Sequence, residues 1–111
     1  MREAQLAVVA GDGIGPEIME AALQVFDKAV KRQNLSCTFT KLLAGGAALE
    51  AYGEPLPEST IKAAQGANAV LLGAVGDPKW DSVEPEKRPE KAILGLRKAL
   101  GLYANLRPVE A

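Results

Sequence analysis

Leu6-Ala7-Val8-Val9-Ala10, followed by Gly11-Asp12-Gly13-Ile14-Gly15-Pro16-Glu17, is the stretch on which the reading of this chain turns. The apolar run is short, rich in valine and ends on a glycine cluster, which is the pattern of a strand buried inside a sheet rather than half exposed. Pro16 then suits the first turn of a helix, because the N–H it lacks would have no partner within the helix. Ile18, Ala22, Val25 and Ala29 recur at helical spacing, flanked by Met19, Phe26 and Val30, with Glu17, Glu20, Gln24, Asp27 and Lys31 opposite. That pattern predicts an amphipathic helix of several turns.

Outward from this unit, Cys37 to Leu43 reads as a second strand of mixed polarity, ended by Gly45-Gly46 and followed by a short helix near Ala47 to Tyr52. Gly53-Glu54-Pro55 is a turn, and Pro57-Glu58 opens a helix that stops near Gly66. Ala69-Val70-Leu71-Leu72 is a strand apolar on both faces. A helix is expected from about Pro89 to Leu100, capped by Gly101, with a further strand at Leu102 to Leu106. Strands alternating with helices, two of them continuously apolar, predict an α/β chain: a partial parallel sheet flanked by helices. Three or four strands leave edges and faces that such sheets normally bury, so a further C-terminal portion is expected.

Composition narrows the class. The chain has 111 residues, 48% hydrophobic and 24% charged, within the range of ordinary folded domains. Its 13 basic and 14 acidic residues are dispersed and the net charge is −1, so no basic field attracts nucleic acid or an anionic membrane. A single cysteine, Cys37, excludes an intramolecular disulfide, and with no histidine a Cys/His zinc site is excluded too. The N-terminus lacks the apolar core of a secretory signal, and the longest apolar run, Ala69 to Val75, is far shorter than the ~20 residues that span a bilayer. A cytoplasmic protein is expected, without nucleic-acid or membrane partners.

The glycine turn invites a dinucleotide reading, which its details oppose. Its spacing is G-x-G-x-G rather than G-x-G-x-x-G, and Pro16 removes an N–H from the helix start that could have faced a pyrophosphate. The second strand ends at Lys41-Leu42-Leu43-Ala44-Gly45, without the acidic residue that holds a ribose diol. A tight turn needing glycine backbone angles is the better reading, and an ordinary Rossmann fold is not expected.

Two later segments carry chemistry. Gly73-Ala74-Val75-Gly76-Asp77-Pro78-Lys79-Trp80-Asp81 follows the Ala69–Leu72 strand at its carboxyl end, where open α/β sheets place their ligands. On the next helix Glu90, Ile93, Leu94 and Arg97 fall at i, i+3, i+4 and i+7 and share one face. A face that begins with a carboxylate, ends with a guanidinium and is apolar between them suits a ligand with an anionic end and an apolar branch. The same pattern also suits a helix half in the core with its charges snorkelling to water. Arg107, in Asn105-Leu106-Arg107-Pro108, supplies a second guanidinium; two such forks can hold the carboxylates of a di-acid.

These three strings together resemble the isocitrate/isopropylmalate dehydrogenase family, which binds NAD or NADP without a Rossmann fold. The turn Gly11 to Glu17 looks like the family's opening turn. Gly73 to Asp81 resembles the G-x-V-G-G-P-K-W-D loop of its isopropylmalate-oxidising branch, departing from it at Asp77, where that branch usually has glycine. Arg88 to Pro108 resembles that branch's R-P-E-x-x-L-L-x-L-R-K…A-N-L-R-P. The resemblance runs over essentially all 111 residues, about the first third of a family member.

What it implies is the N-terminal portion of that family's fold, with residues 1–101 in the first, cofactor-side domain and 102–111 starting the crossing into a second. It implies NAD-dependent oxidation of 3-isopropylmalate at its 2-hydroxyl and loss of CO2, a step of leucine biosynthesis. Arg97 and Arg107 would then bind the malate carboxylates. Ile93 and Leu94 would receive the isopropyl branch, and Glu90 would lie between it and the nicotinamide. Cofactor contacts would come from Ile14, from the loop Gly73 to Asp81, and from Arg88, Pro89 and Glu90. Mg²⁺ or Mn²⁺ would be held by aspartates further along the chain, as would the acid/base pair, so no catalytic or metal-ligating residue is expected here. A homodimer is implied for the complete protein, and no activity for these residues alone. Serine and asparagine, which meet isocitrate's third carboxylate in that branch, are absent from the Glu90, Ile93, Leu94 face. Tartrate, homoisocitrate or isocitrate oxidation and a noncatalytic relative are the alternatives.

Overall fold

A computed structural model describes residues 2–111. Three parallel strands lie in the order β2-β1-β3, with β1 at Arg2–Gly11, β2 at Leu35–Leu42 and β3 at Ala69–Ala74. The helices are α1 (Gly15–Arg32), α2 (Gly46–Tyr52), α3 (Glu58–Gln65) and α4 (Glu90–Ala99), with short 3-10 turns at Pro78–Trp80 and Pro85–Lys87.

Strand β1 is central because its apolar run is paired on both sides: Leu6 lies opposite Phe39 and Ala69, Val9 opposite Leu42 and Leu72. Leu6, Ala7, Val8 and Val9 are all buried, and each large aliphatic side chain so placed contributes about 1.5–3 kcal/mol. Successive residues of a strand point to opposite faces. Val8 accordingly lies beside Met19 of α1 in one groove, while Val9 packs with Ala44 and Ala92 of α4 on the other side. Parallel neighbours need crossovers, which α1 supplies from β1 to β2, and α2 with α3 from β2 to β3. The α/β class and the parallel, helix-flanked sheet expected from the pattern are both present.

The turn after β1 has a packing reason for its glycines. A methyl group on Gly11, whose φ is +85°, would overlap the Ala74 carbonyl oxygen, and one on Gly15 would overlap the Ala10 carbonyl. The main chains of β1, α1 and β3 meet there with no room for a side chain, and Asp12 N–H donates to the Ala74 oxygen at 2.9 Å. Close backbone approach accounts for the glycines at positions 11 and 15.

Three expectations differ from the structure. Of the apolar face read from periodicity on α1, Met19 and Val30 face the sheet with Gly15, and Phe26 is half buried, while Ile18, Ala22, Val25 and Ala29 are exposed. Ile18, Val25, Met19, Phe26 and Val30 share one wide apolar face, and the sheet covers only the edge of it that the glycine turn directs inward. Strand β3, apolar on both faces, is an edge strand only half buried, with Leu72 exposed, because it has a neighbour on one side alone. Leu102 to Leu106 forms no strand: residues 102–111 are irregular and exposed. A strand exists by pairing, and no described strand receives this one.

Candidate functional site

The carboxyl ends of the three strands open onto three loops, and one carboxylate joins them. Asp12, largely buried at 8% exposure, accepts from Gly46 N–H through Oδ1 at 2.9 Å and from Gly76 N–H through Oδ2 at 2.8 Å. Gly15 N–H returns to the Asp12 carbonyl at 2.9 Å. Thus the turn after β1, the start of α2 and the loop after β3 are held about a single side chain. Nothing local in the sequence marks Asp12 for this role, since its partners lie 34 and 64 residues away. The available hint was a carboxylate set among glycines at a strand's carboxyl end.

The first part of the 73–81 loop faces inward. Gly73 sits against the Ala10 carbonyl, and Val75 packs over Gly45. From Gly76 onward the loop turns to the surface. Asp77 caps the Pro78–Trp80 turn, its Oδ1 accepting from Lys79 N–H at 3.1 Å. Lys79 lies 3.5 Å from Glu50 of α2 and 5.0 Å from the Trp80 ring centroid; with both ions exposed, this pair contributes about 1 kcal/mol or less. Trp80 Nε1 is enclosed against Gly46 without a hydrogen-bond partner.

Trp80 divides two hollows. One, of about 230 Å³, is lined by Gly11, Asp12, Gly13, Glu50, Asp77 and Trp80; the other, of about 320 Å³, by Trp80, Asp81, Arg88, Glu90, Lys91 and Leu94. The loop and α4 meet at Gly76, where a methyl group would stand 2.9 Å from Glu90 Oε1. A larger groove of about 640 Å³ runs between α1 and β2, lined mainly by Val8, Met19, Leu23, Phe39 and Leu42. Size alone would select it. Convergent polar groups and strand carboxyl ends select the smaller pair instead.

Placement of the expected site residues follows from this frame. Ile14 is exposed at 66% beside the glycine turn. Glu90 is exposed against the loop, and Arg88 is exposed, its Nε donating to the Val83 carbonyl at 3.5 Å. Pro89 is fully buried and anchors the start of α4, with no surface to offer a ligand. On α4 the buried side is Ala92 and Leu96, so the Glu90, Ile93, Leu94, Arg97 face is the open one, Leu94 at 58% exposure and Ile93 half buried. The structure therefore brings the 11–15 turn, the 73–81 loop, Arg88, Glu90 and Leu94 into one region. Arg107 lies in the exposed 102–111 segment, held by none of the hydrogen bonds or ion pairs among the described residues. Among the described residues no group of three or more Asp, Glu or Cys side chains is arranged to hold a metal ion.

Residues 5–111 match the family model described as isocitrate/isopropylmalate dehydrogenase. The chain belongs to that family. A 3-isopropylmalate dehydrogenase of Clostridium pasteurianum is 54% identical over 110 residues, which cover 99% of this chain and 31% of the relative. One from Aquifex aeolicus is 50% identical over 110 residues, covering 99% of this chain and 30% of that one. Among solved structures, a β-decarboxylating dehydrogenase of Thermococcus kodakarensis superposes with a TM-score of 0.68 at 33% identity, over 90% of this chain and 27% of its own. An isocitrate dehydrogenase of Methylococcus capsulatus gives 0.69 at 28% identity, over 93% and 27%. The chain thus spans about a third of the length of the family members it matches.

Proposed function

We propose that these residues form the N-terminal portion of an NAD-dependent 3-isopropylmalate dehydrogenase, with residues 1–101 in its cofactor-side domain and 102–111 leading into a second. The observation that carries this reading is the open face of α4: Ile93 and Leu94 lie outward between a carboxylate and a guanidinium, while Ala92 and Leu96 hold the helix to the core. An aliphatic branch removed from water by Leu94 and Ile93 gains about 0.8 kcal/mol per CH2 group, whereas a carboxylate laid on the same two side chains loses hydration. The face therefore selects isopropylmalate over isocitrate.

Arg97 would hold one substrate carboxylate, and Arg107 would join it when the 102–111 segment is packed against the remainder of the protein. The hollow between the glycine turn and the 73–81 loop would receive part of an extended polar cofactor, with exposed Ile14 beside it as an apolar contact. NAD bound there supplies the hydride acceptor. Glu90, beside Gly76, would border both cofactor and substrate, and Arg88 lines the same hollow. Mg²⁺ or Mn²⁺ ligands and the acid/base pair would come from other residues of a cytoplasmic homodimer, acting on a small di-acid.

The test is turnover by the full-length protein with NAD and Mg²⁺ on 3-isopropylmalate, isocitrate and tartrate, with Arg97→Ala and Leu94→Ala beside the wild type. Isopropylmalate is expected to be preferred. Arg97→Ala should lower kcat/KM about 10- to 100-fold, the effect of losing a charge-assisted hydrogen bond, and Leu94→Ala by about 10-fold. Preference for isocitrate or tartrate, or an Arg97→Ala enzyme with unchanged kcat/KM, would overturn the assignment.

A further inference from the structure

The Asp12 carboxylate does more than its place in a turn requires. It is over nine-tenths buried, its two oxygens are each engaged by a backbone N–H from a different loop, and its own N–H and C=O are used as well, by Ala74 and Gly15. Charged acceptors bind amide N–H groups more strongly than neutral ones, so Gly46 and Gly76 are tied to one rigid point at the end of the central strand. Gly46 adds a second constraint: a methyl group there would overlap Trp80 Nε1 and stand 2.8 Å from Asp12 Oδ2. Trp80 is seated on the same glycine whose N–H the carboxylate holds.

We infer that Asp12 is a positioning residue that sets the conformation of the 76–81 segment, and through it the wall between the two hollows, acting through the loop and not on the reacting atoms. This rests on the cofactor role proposed for that loop. Oδ2 holds Gly76 at the point where the loop turns outward beside Glu90, and Oδ1 holds the start of α2, against which Lys79 and Trp80 pack. Losing either oxygen releases the loop from the sheet at one end.

Asp12→Ala removes both acceptors, and Asp12→Asn keeps one while turning an N–H toward the other amide. Gly46→Ala keeps the carboxylate but crowds both Trp80 and Asp12 Oδ2. Thr60→Val serves as the control for a general loss of stability, since Thr60 is also buried but donates to the Leu43 carbonyl at 2.6 Å, away from the loop. In the full-length protein, hydrogen exchange of peptides covering 43–50 and 73–81 should quicken about tenfold or more in Asp12→Asn and further in Asp12→Ala, the effect of losing one and then two charge-assisted bonds. Thr60→Val should leave the 73–81 peptide unchanged. The KM for NAD should rise about tenfold in Asp12→Asn and Gly46→Ala with kcat within about threefold, because a displaced loop weakens binding more than chemistry.

Unchanged exchange at 73–81 in Asp12→Asn would overturn the positioning role, and so would Thr60→Val reproducing both effects at the same loss of melting temperature. If Asp12→Ala does not fold, Asp12→Asn and Gly46→Ala decide. Should the wild type prove inactive with isopropylmalate and NAD, the functional proposal fails while the exchange measurement still decides the role of Asp12.

Discussion

Asp77 stands where the isopropylmalate branch usually has glycine, and its backbone shows how the exchange is accommodated. Its φ of −156° is extended and open to any residue, and its side chain caps the following turn. Asp77→Gly should therefore cost about 0.5–1 kcal/mol, from lost capping and added chain entropy, while Asp77→Asn, which keeps the acceptor, should be nearly neutral; urea titration of the full-length protein separates the two. Gly11 is the opposite case. Gly11→Ala combines a left-handed backbone with overlap of the Ala74 carbonyl, and about 3 kcal/mol or more should be lost. Gly53 has φ +79° but open space around it, so Gly53→Ala should lose only the 1–2 kcal/mol of its backbone angle. Equal losses in the two variants would refute the close approach of β1 and β3.

Helix α4 separates stability from function on its two sides. Its C-terminus is closed by a Schellman pair, Leu102 N–H to Arg97 C=O at 3.0 Å and Gly101 N–H to Lys98 C=O at 3.1 Å, with Gly101 at φ +67°. Leu96 is buried and Leu94 exposed. Leu96→Ala is accordingly expected to destabilise by about 2–5 kcal/mol, and Leu94→Ala by about 0.5 kcal/mol or less, though it is Leu94→Ala that should reduce turnover of isopropylmalate. Paired denaturation and kinetic measurements check this; a Leu94→Ala protein as unstable as Leu96→Ala would mean that α4 is rotated. Helix α1 shows the converse situation. Its apolar face is wide, and the sheet covers only the Met19 and Val30 edge of it, leaving Ile18 and Val25 exposed.

Taken whole, these residues are extended for their number. Their radius of gyration of 14.8 Å exceeds the about 13 Å of a compact domain of this length, and Ile18, Val25, Tyr103, Leu106 and Val109 are exposed. Exposed apolar side chains of this number favour association through apolar contact. Prepared alone, the 111-residue segment should be inactive and should self-associate as its concentration rises, and Val25→Lys should weaken that association. Sedimentation equilibrium reads both; a monomer at every concentration would contradict the expectation.

Local pattern was sufficient for the kind and order of the elements through α4, the parallel α/β class and the membership of a family, because turn chemistry, helical spacing and short motifs are properties of neighbouring residues. It also marked the open face of α4, since four residues at helical spacing share a side wherever the helix lies. Which side of α1 meets the sheet, whether Leu102 to Leu106 pairs, and how Asp12 joins loops 34 and 64 residues distant were decided by tertiary structure alone. The physical reason is common to all three: a buried face, a strand and a bridging carboxylate are each defined by a partner, and in this chain those partners lie far away in sequence.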